Sequence, residues 1–125
     1  AIADYIETHI GESLTVAVLA QVAGLNRHHF SRIFKKRSGH SPMDFVRRHR
    51  VKRTLGMLAS QPNWTIHRIA SRIGIQGDAQ LRRLLKRYTG LGARYILKIA
   101  RARMYDPFSA QALIDDARTL IPLEL

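Results

Sequence analysis

Residues 15–39 read TVAVLAQVAGLNRHHFSRIFKKRSG and residues 65–90 read TIHRIASRIGIQGDAQLRRLLKRYTG, and the two stretches are versions of one unit. At an offset of fifty, Thr15, Val16, Leu19, Ala20, Gly24 and Leu25 fall on Thr65, Ile66, Ile69, Ala70, Gly74 and Ile75. At an offset of fifty-one, Phe30, Arg32, Ile33, Phe34, Lys35, Lys36 and Gly39 fall on Leu81, Arg83, Leu84, Leu85, Lys86, Arg87 and Gly90. One extra residue at the start of the second basic helix accounts for the change of offset. Each unit is a capped helix of about eight residues, a glycine turn and a basic-faced helix of about eleven, which is the helix-turn-helix plan.

Outward from the units the chain also reads as helix. Ile2, Ile6 and Ile10 recur every four residues and predict a short first helix ending near Gly11. Thr15 caps a second helix with Val16, Leu19, Ala20 and Ala23 inward, and Gly24 stops it. Asn26 caps a third helix through Arg37, with Phe30, Ile33 and Phe34 inward. Ser41 followed by Pro42 opens a fourth, because the first helical N–H has no partner to lose. That helix runs to Ala59 or Ser60, with Val51, Thr54, Leu55 and Leu58 on one face. Thr65 caps a fifth that stops at Gly74, and a sixth runs from Gln76 or Gly77 through Tyr88 with Leu81, Leu84 and Leu85 inward. The expected fold is therefore all-α: a first helix-turn-helix subdomain (1–40), a linker helix (41–60), a second subdomain (61–103) and an acidic helical extension (104–125).

Charge is distributed to match. The 125 residues carry 21 Lys and Arg against 9 Asp and Glu, a formal +12. Residues 1–26 hold three acids and no base, and residues 104–125 hold four acids and one base. Residues 27–103 hold twenty bases and two acids, so +18 sits between two acidic ends. A block this basic implies a polyanionic partner, nucleic acid ahead of an anionic membrane surface. Cysteine is absent, which excludes disulfides, thiolate metal sites and a cysteine nucleophile. No apolar run approaches the roughly 18 to 20 residues of a membrane span, and the N-terminus lacks a basic flank followed by an apolar core.

The third helix has the chemistry of a groove reader. With its apolar face turned inward, Arg27, His28, Ser31, Arg32, Lys35 and Lys36 remain outside. His28, Ser31 and Arg32 come early, where base edges would be, and an arginine there can bond bidentately to guanine O6 and N7. Lys35, Lys36 and Arg37 come later, where phosphates are the expected contact, as for Arg27 at the entry. In the sixth helix Arg82, Arg83, Lys86 and Arg87 repeat the cationic face. Its first turn holds Gly77, Asp78 and Ala79, and Asp78 is read as favouring the helix dipole ahead of accepting from cytosine N4. The linker's Arg47, Arg48, Arg50, Lys52 and Arg53 are too many for one role; some should pair with Asp44 or the acidic N-terminus and others meet phosphate.

The run Gly24-Leu25-Asn26-Arg27-His28-His29-Phe30-Ser31-Arg32-Ile33-Phe34-Lys35-Lys36, then Gly39-His40-Ser41-Pro42, with the second unit from Ile69-Ala70 to Gly90, resembles the AraC/XylS family of bacterial transcription regulators. The resemblance covers residues 1 to about 99. It implies a seven-helix, two-lobed DNA-binding domain whose third and sixth helices enter adjacent major grooves of double-stranded DNA. Carried over by position, base reading falls on His28, Ser31 and Arg32, and on Asp78, Ala79, Arg82 and Arg83. Phosphate contact falls on Arg27, Lys35, Lys36, Arg37, Lys86 and Arg87. Leu81 and Leu85 depart from the family's aromatics, and Gly92-Ala93 stands where Ser-Pro is usual. The family further implies a sensor or dimerisation domain, RNA polymerase as a partner, no cofactor, and a cytoplasmic, nucleoid-associated location.

The chain begins at its first helix without methionine, which favours the DNA-binding piece of a longer regulator over a stand-alone monomeric one. After Arg103, Pro107 should break the chain, Ser109 cap a last helix, and Leu113, Ala117 and Leu120 form a stripe that packs back on the basic domain or docks another subunit. Enzyme chemistry finds no support: there is no nucleophile elbow, no phosphate-cradling glycine loop and no paired carboxylates. Histidines 9, 28, 29, 40, 49 and 67 lack metal-ligand spacing. The remaining rivals are sequence-independent nucleic-acid binding and a pure protein-interaction module.

Overall fold

A computed structural model describes residues 2–102, and over these the chain forms seven helices: α1 (Ile2–Thr8), α2 (Val16–Ala23), α3 (Arg27–Ser38), α4 (Pro42–Ser60), α5 (Ile66–Arg72), α6 (Asp78–Thr89) and α7 (Ala93–Ala102). No strand occurs among the described residues. The expected break at Pro107, the cap at Ser109 and the stripe of Leu113, Ala117 and Leu120 lie outside them.

Local chemistry sets the helix starts. The Thr15, Asn26, Ser41 and Thr65 side chains accept hydrogen bonds from the backbone N–H three residues on, at 3.2, 2.8, 3.3 and 3.1 Å. α6 lacks such a cap: Gly77 stands at its N-cap with φ +82°, and the carboxylate of Asp78 in the first turn is what complements the exposed N–H groups. Gly24, Gly39 and Gly90 end α2, α3 and α6 in the left-handed conformation that a Cβ would strain. α1 ends at Thr8, a little before the expected Gly11, yet Ile10 in the following turn remains buried with Ile6.

Two hydrophobic cores result, and both grow from α4. The first gathers Ile6, Ile10, Leu14, Leu19, Phe30 and Phe34 around Phe45 and Val46. The second gathers Ile66, Ile69, Ile73, Leu81, Leu85 and Ile96 around Val51, Leu55 and Leu58. α4 thus completes the core of the first lobe with its N-terminal part and supports the second lobe with the rest. Leu81 and Leu85, where the family has aromatics, are both fully buried, so leucine fills that part of the core. Ile2, Val16 and Ala23 are half-buried and pack against the first core, whereas Ile33 does not join it. Ile33 is only half-buried, because it faces a groove between α1, the end of α2 and α3 instead of the core.

The repeat extends further than the residue pairing indicated. The Ser38 hydroxyl donates to the Phe34 carbonyl (2.8 Å) and accepts from the His40 N–H (3.1 Å). Fifty-one residues on, Thr89 donates to the Leu85 carbonyl (2.6 Å) and accepts from the Leu91 N–H (3.0 Å). Both recognition-type helices therefore end in the same hydroxyl-stapled turn, and α7 follows α6 as α4 follows α3. With Gly92-Ala93 in place of Ser41-Pro42, α7 begins without the side-chain cap that α4 has.

Candidate nucleic-acid interface

α3 presents its polar face to solvent because Phe30 and Phe34 hold the opposite face in the first core. Arg27, His28, Arg32, Lys35, Lys36 and Arg37 are all exposed and Ser31 is half-buried. His28, Ser31, Arg32 and Lys35 come together, lining one shallow depression with Val16 at the start of α2 and Ser41, Pro42 and Met43 at the start of α4. Two helix N-termini thus flank the early part of α3, and their N–H groups add positive potential beside the arginine. Among the described residues Arg32, Lys35 and Lys36 have no ion-pair or hydrogen-bond partner. Arg37 stands apart. At about 100° per residue it lies half a turn around α3 from His28, and it lines the groove of about 720 Å³ that also takes Tyr5, Val22 and Ile33.

α6 repeats the arrangement with its cations more engaged. Asp78, Ala79, Arg82, Arg83, Lys86 and Arg87 are all exposed. Arg82 Nε lies 3.8 Å from an oxygen of Asp78, a solvent-screened pair of small energetic value. Lys86 donates to the carbonyl of Gly90 (3.0 Å), using its charge to close its own helix. The Arg87 guanidinium sits 5.2 Å from the Tyr88 ring centroid. Asp78 lies in the first turn of α6, beside Arg82.

Arg48 and Arg50 of the linker find partners within the chain. Arg48 Nε donates to Asp44 Oδ2 at 2.8 Å. Arg50 meets the N-terminal segment through the backbone carbonyl of Glu12 (3.0 Å) and not through a carboxylate. Burial lowers the Arg50 pKa from its ordinary value, and its Nε has no hydrogen-bond partner. Two features escape sequence reading. Tyr88 donates to Asp44 Oδ1 (2.6 Å) while Arg47 Nε donates to the Tyr88 oxygen (3.0 Å). Burial alone would raise the Asp44 pKa; the hydrogen bonds from Tyr88 and Arg48 and the charges of Arg48 and His40 outweigh it and hold the carboxyl below its usual range. On α5, Arg68 and Arg72 stack over Trp64 at 4.0 and 5.2 Å from its ring centroid. A lone tryptophan between helices carries no signal of such stacking.

His28 points outward and His29 is half-buried, as the helix phase predicts. His49 is buried against Phe45, with both ring nitrogens unpartnered. Among the described residues no group of three or more His, Asp or Glu could hold a metal ion, and no helix is long and apolar enough to cross a membrane.

Two three-helix units, each offering an apolar-backed cationic helix after a tight turn, define a helix-turn-helix DNA-binding protein. A sequence model of helix-turn-helix domains matches residues 19–102, and the chain belongs to this family, as a DNA-binding domain of the AraC/XylS type. It is 34% identical over 80 residues to the HTH-type transcriptional activator Btr of Bacillus subtilis (strain 168), covering 64% of this chain and 15% of Btr. Against the multiple antibiotic resistance protein MarA of Escherichia coli (strain K12) it is 28% identical over 88 residues, covering 70% of this chain and 68% of MarA. Its fold resembles the DNA-binding domain of the global transcriptional factor AdpA, solved in complex with a target DNA: TM-score 0.78, 24% identity, 84% of this chain and 94% of that one. The chain thus spans 15% of Btr and, with 37% of the B. subtilis regulator YobQ, well under half of either relative.

Proposed function

We propose that this chain reads double-stranded DNA through two units, with α3 and α6 in successive major grooves, as the DNA-binding part of a larger regulator of transcription. The observation that carries this reading is the face of α3, where His28, Ser31, Arg32 and Lys35 line one depression and Arg32 and Lys35 have no partner within the described residues. His28, Ser31 and Arg32 read bases, and Arg27, Lys35 and Lys36 hold phosphates. Arg37, on the α1 side, reaches at most a flanking phosphate. In the second unit Ala79, Arg82 and Arg83 meet bases with Asp78 beside them, and Lys86 and Arg87 meet phosphate. Because Arg82 already faces Asp78 within α6, the second unit contributes less discrimination than the first.

The units are taken as 1–40 and 61–103, with α4 as a linker that both cores share. A sensor or dimerisation domain and RNA polymerase are the remaining partners of this reading, its place is the bacterial cytoplasm, and it performs no catalysis. Selection of bound sites from random DNA tests it. A two-part site with one strong and one weaker half is expected; DNA retained without any sequence preference would leave only a general polyanion binder.

A further inference from the structure

The recognition helices are joined by more than the rod of α4. At the end of α3, Ser38 holds the His40 N–H, and the His40 ring Nδ1 lies 3.2 Å from Asp44 Oδ2. The other oxygen of Asp44 accepts from Tyr88, in the last turn of α6. A short polar chain of Ser38, His40, Asp44 and Tyr88 thus links the C-terminal end of one recognition helix to that of the other. Arg47 holds Tyr88 and Arg48 holds Asp44, both from α4. At this position the repeat is broken: the counterpart of Tyr88 at the fifty-one-residue offset is Arg37, which is exposed and reaches no linker. The second unit has therefore replaced a solvent-facing cation with a side chain that returns to the first lobe.

On another side of α4, Arg50 donates to the Glu12 carbonyl and the backbones of Gly11 and Gly74 meet. At about 100° per residue Asp44 lies about 120° around the helix from Arg50. The second core holds the second lobe on α4 through Val51, Leu55 and Leu58, and the Asp44–Tyr88 bond adds a contact well round the helix from Arg50 that resists tilting; without it, the lobe can rock on the Gly11–Gly74 contact.

We propose that the Asp44–Tyr88 hydrogen bond sets the register between α3 and α6 and so determines which separation of half-sites the protein accepts. This rests on the reading of α3 and α6 as base readers. Tyr88 and Asp44 are positioning residues: neither needs to touch DNA. Each base pair added between half-sites turns the second one by about 34 to 36° around the duplex and moves it about 3.4 Å. A braced pair of lobes follows such a change poorly, and an unbraced pair follows it by tilting on the Gly11–Gly74 contact.

The test uses the full chain and duplexes carrying its own selected half-sites, with spacers from two base pairs shorter to two longer than the selected one. The wild type is expected to lose about tenfold in affinity for one base pair of change, comparable to a mismatch within a site. Tyr88→Phe, which removes one oxygen, is expected to lose less than about threefold while binding a single half-site within about twofold of wild type. Asp44→Ala should flatten the profile from the other partner, and the double variant should be no flatter than either single one. Circular dichroism establishes that each variant is folded. A Tyr88→Phe profile as steep as the wild type's overturns the proposal, as does additive flattening in the double variant. Failure of the underlying reading looks different: the wild type selects no two-part site, or binds all spacers alike, and the brace then has nothing to set.

Discussion

Gly74, in the turn between α5 and α6, packs directly against the backbone of Gly11 between α1 and α2: a Cβ on Gly74 would stand 3.0 Å from the carbonyl carbon and oxygen of Gly11 and 3.1 Å from Arg50 Nη2. These loops belong to different lobes, so a glycine that ends a helix motif is also where the lobes touch. Its φ of +75° adds a second reason for glycine.

Gly90 separates the two reasons, having φ +76° with open space around it. Gly90→Ala should cost about 1–2 kcal/mol from left-handed strain alone, and Gly74→Ala about 2–4 kcal/mol because a backbone contact must also open. Urea unfolding of both variants measures the difference; equal losses would mean that the lobes do not press together there.

Burial lowers the pKa of His49 below its ordinary 6.5, with Lys52 and Arg53 acting the same way and Glu7 opposing. The unfolded chain therefore binds more protons than the folded one as the pH falls through 6.5, so folding stability is full above that value and declines below it, levelling off under the folded pKa. His49→Leu, which leaves no unpartnered ring nitrogen behind, should flatten the stability profile between about pH 7.5 and 5. Asp44 acts in a separate window: its lowered pKa contributes stability above the ordinary 3.8 that is lost as pH falls further. Thermal melts across both ranges check the two signs. An unchanged slope in the His49 variant would overturn the assignment to His49.

Arg32 and Lys36 both lack partners among the described residues, but they sit at different depths along the reading face. Arg32→Ala should relax sequence preference at one position, at a cost of about 1–3 kcal/mol on the selected site. Lys36→Ala should weaken all DNA alike and reduce the slope of log affinity against log salt by about one. Titrations on selected and scrambled duplexes at several salt concentrations distinguish them, and identical behaviour would contradict the division of roles.

α4 has 19 residues, which at 1.5 Å each makes it about 28 Å long, shorter than the roughly 34 Å between major grooves on one face of the duplex. DNA engaged by both lobes should accordingly bend toward the protein. A circular-permutation mobility assay should show position-dependent migration; straight DNA with both half-sites protected would require the lobes to separate instead.

Helices α1 to α6 are legible in the sequence, because their signals are local. Thr15, Asn26, Ser41 and Thr65 cap the helices that begin after them, glycines end α2, α3 and α6, and the periodicity of Leu81, Leu84 and Leu85 identifies a buried face. The outward chemistry of α3 follows from the same phase. Ile33 is inward by that phase yet stays half-buried, because it lines a groove that runs along α1 past Ile2, Tyr5 and Thr8. α7 could be expected only from the family resemblance, since no side-chain cap marks its start.

The order of amino acids by itself decided two copies of a capped helix, a glycine turn and a basic helix, with positive charge concentrated in residues 27–103. Such features depend on neighbours within a few residues along the chain, so they are written in spacing. The bond of Tyr88 to Asp44 and the contact of Gly11 with Gly74 were decided only when the lobes folded on α4. Asp44 and Tyr88 are separated by 44 residues, and no period or cap relates them. Their meeting depends on how two cores share one helix, a property of packing in three dimensions that side-chain order encodes only through the whole fold.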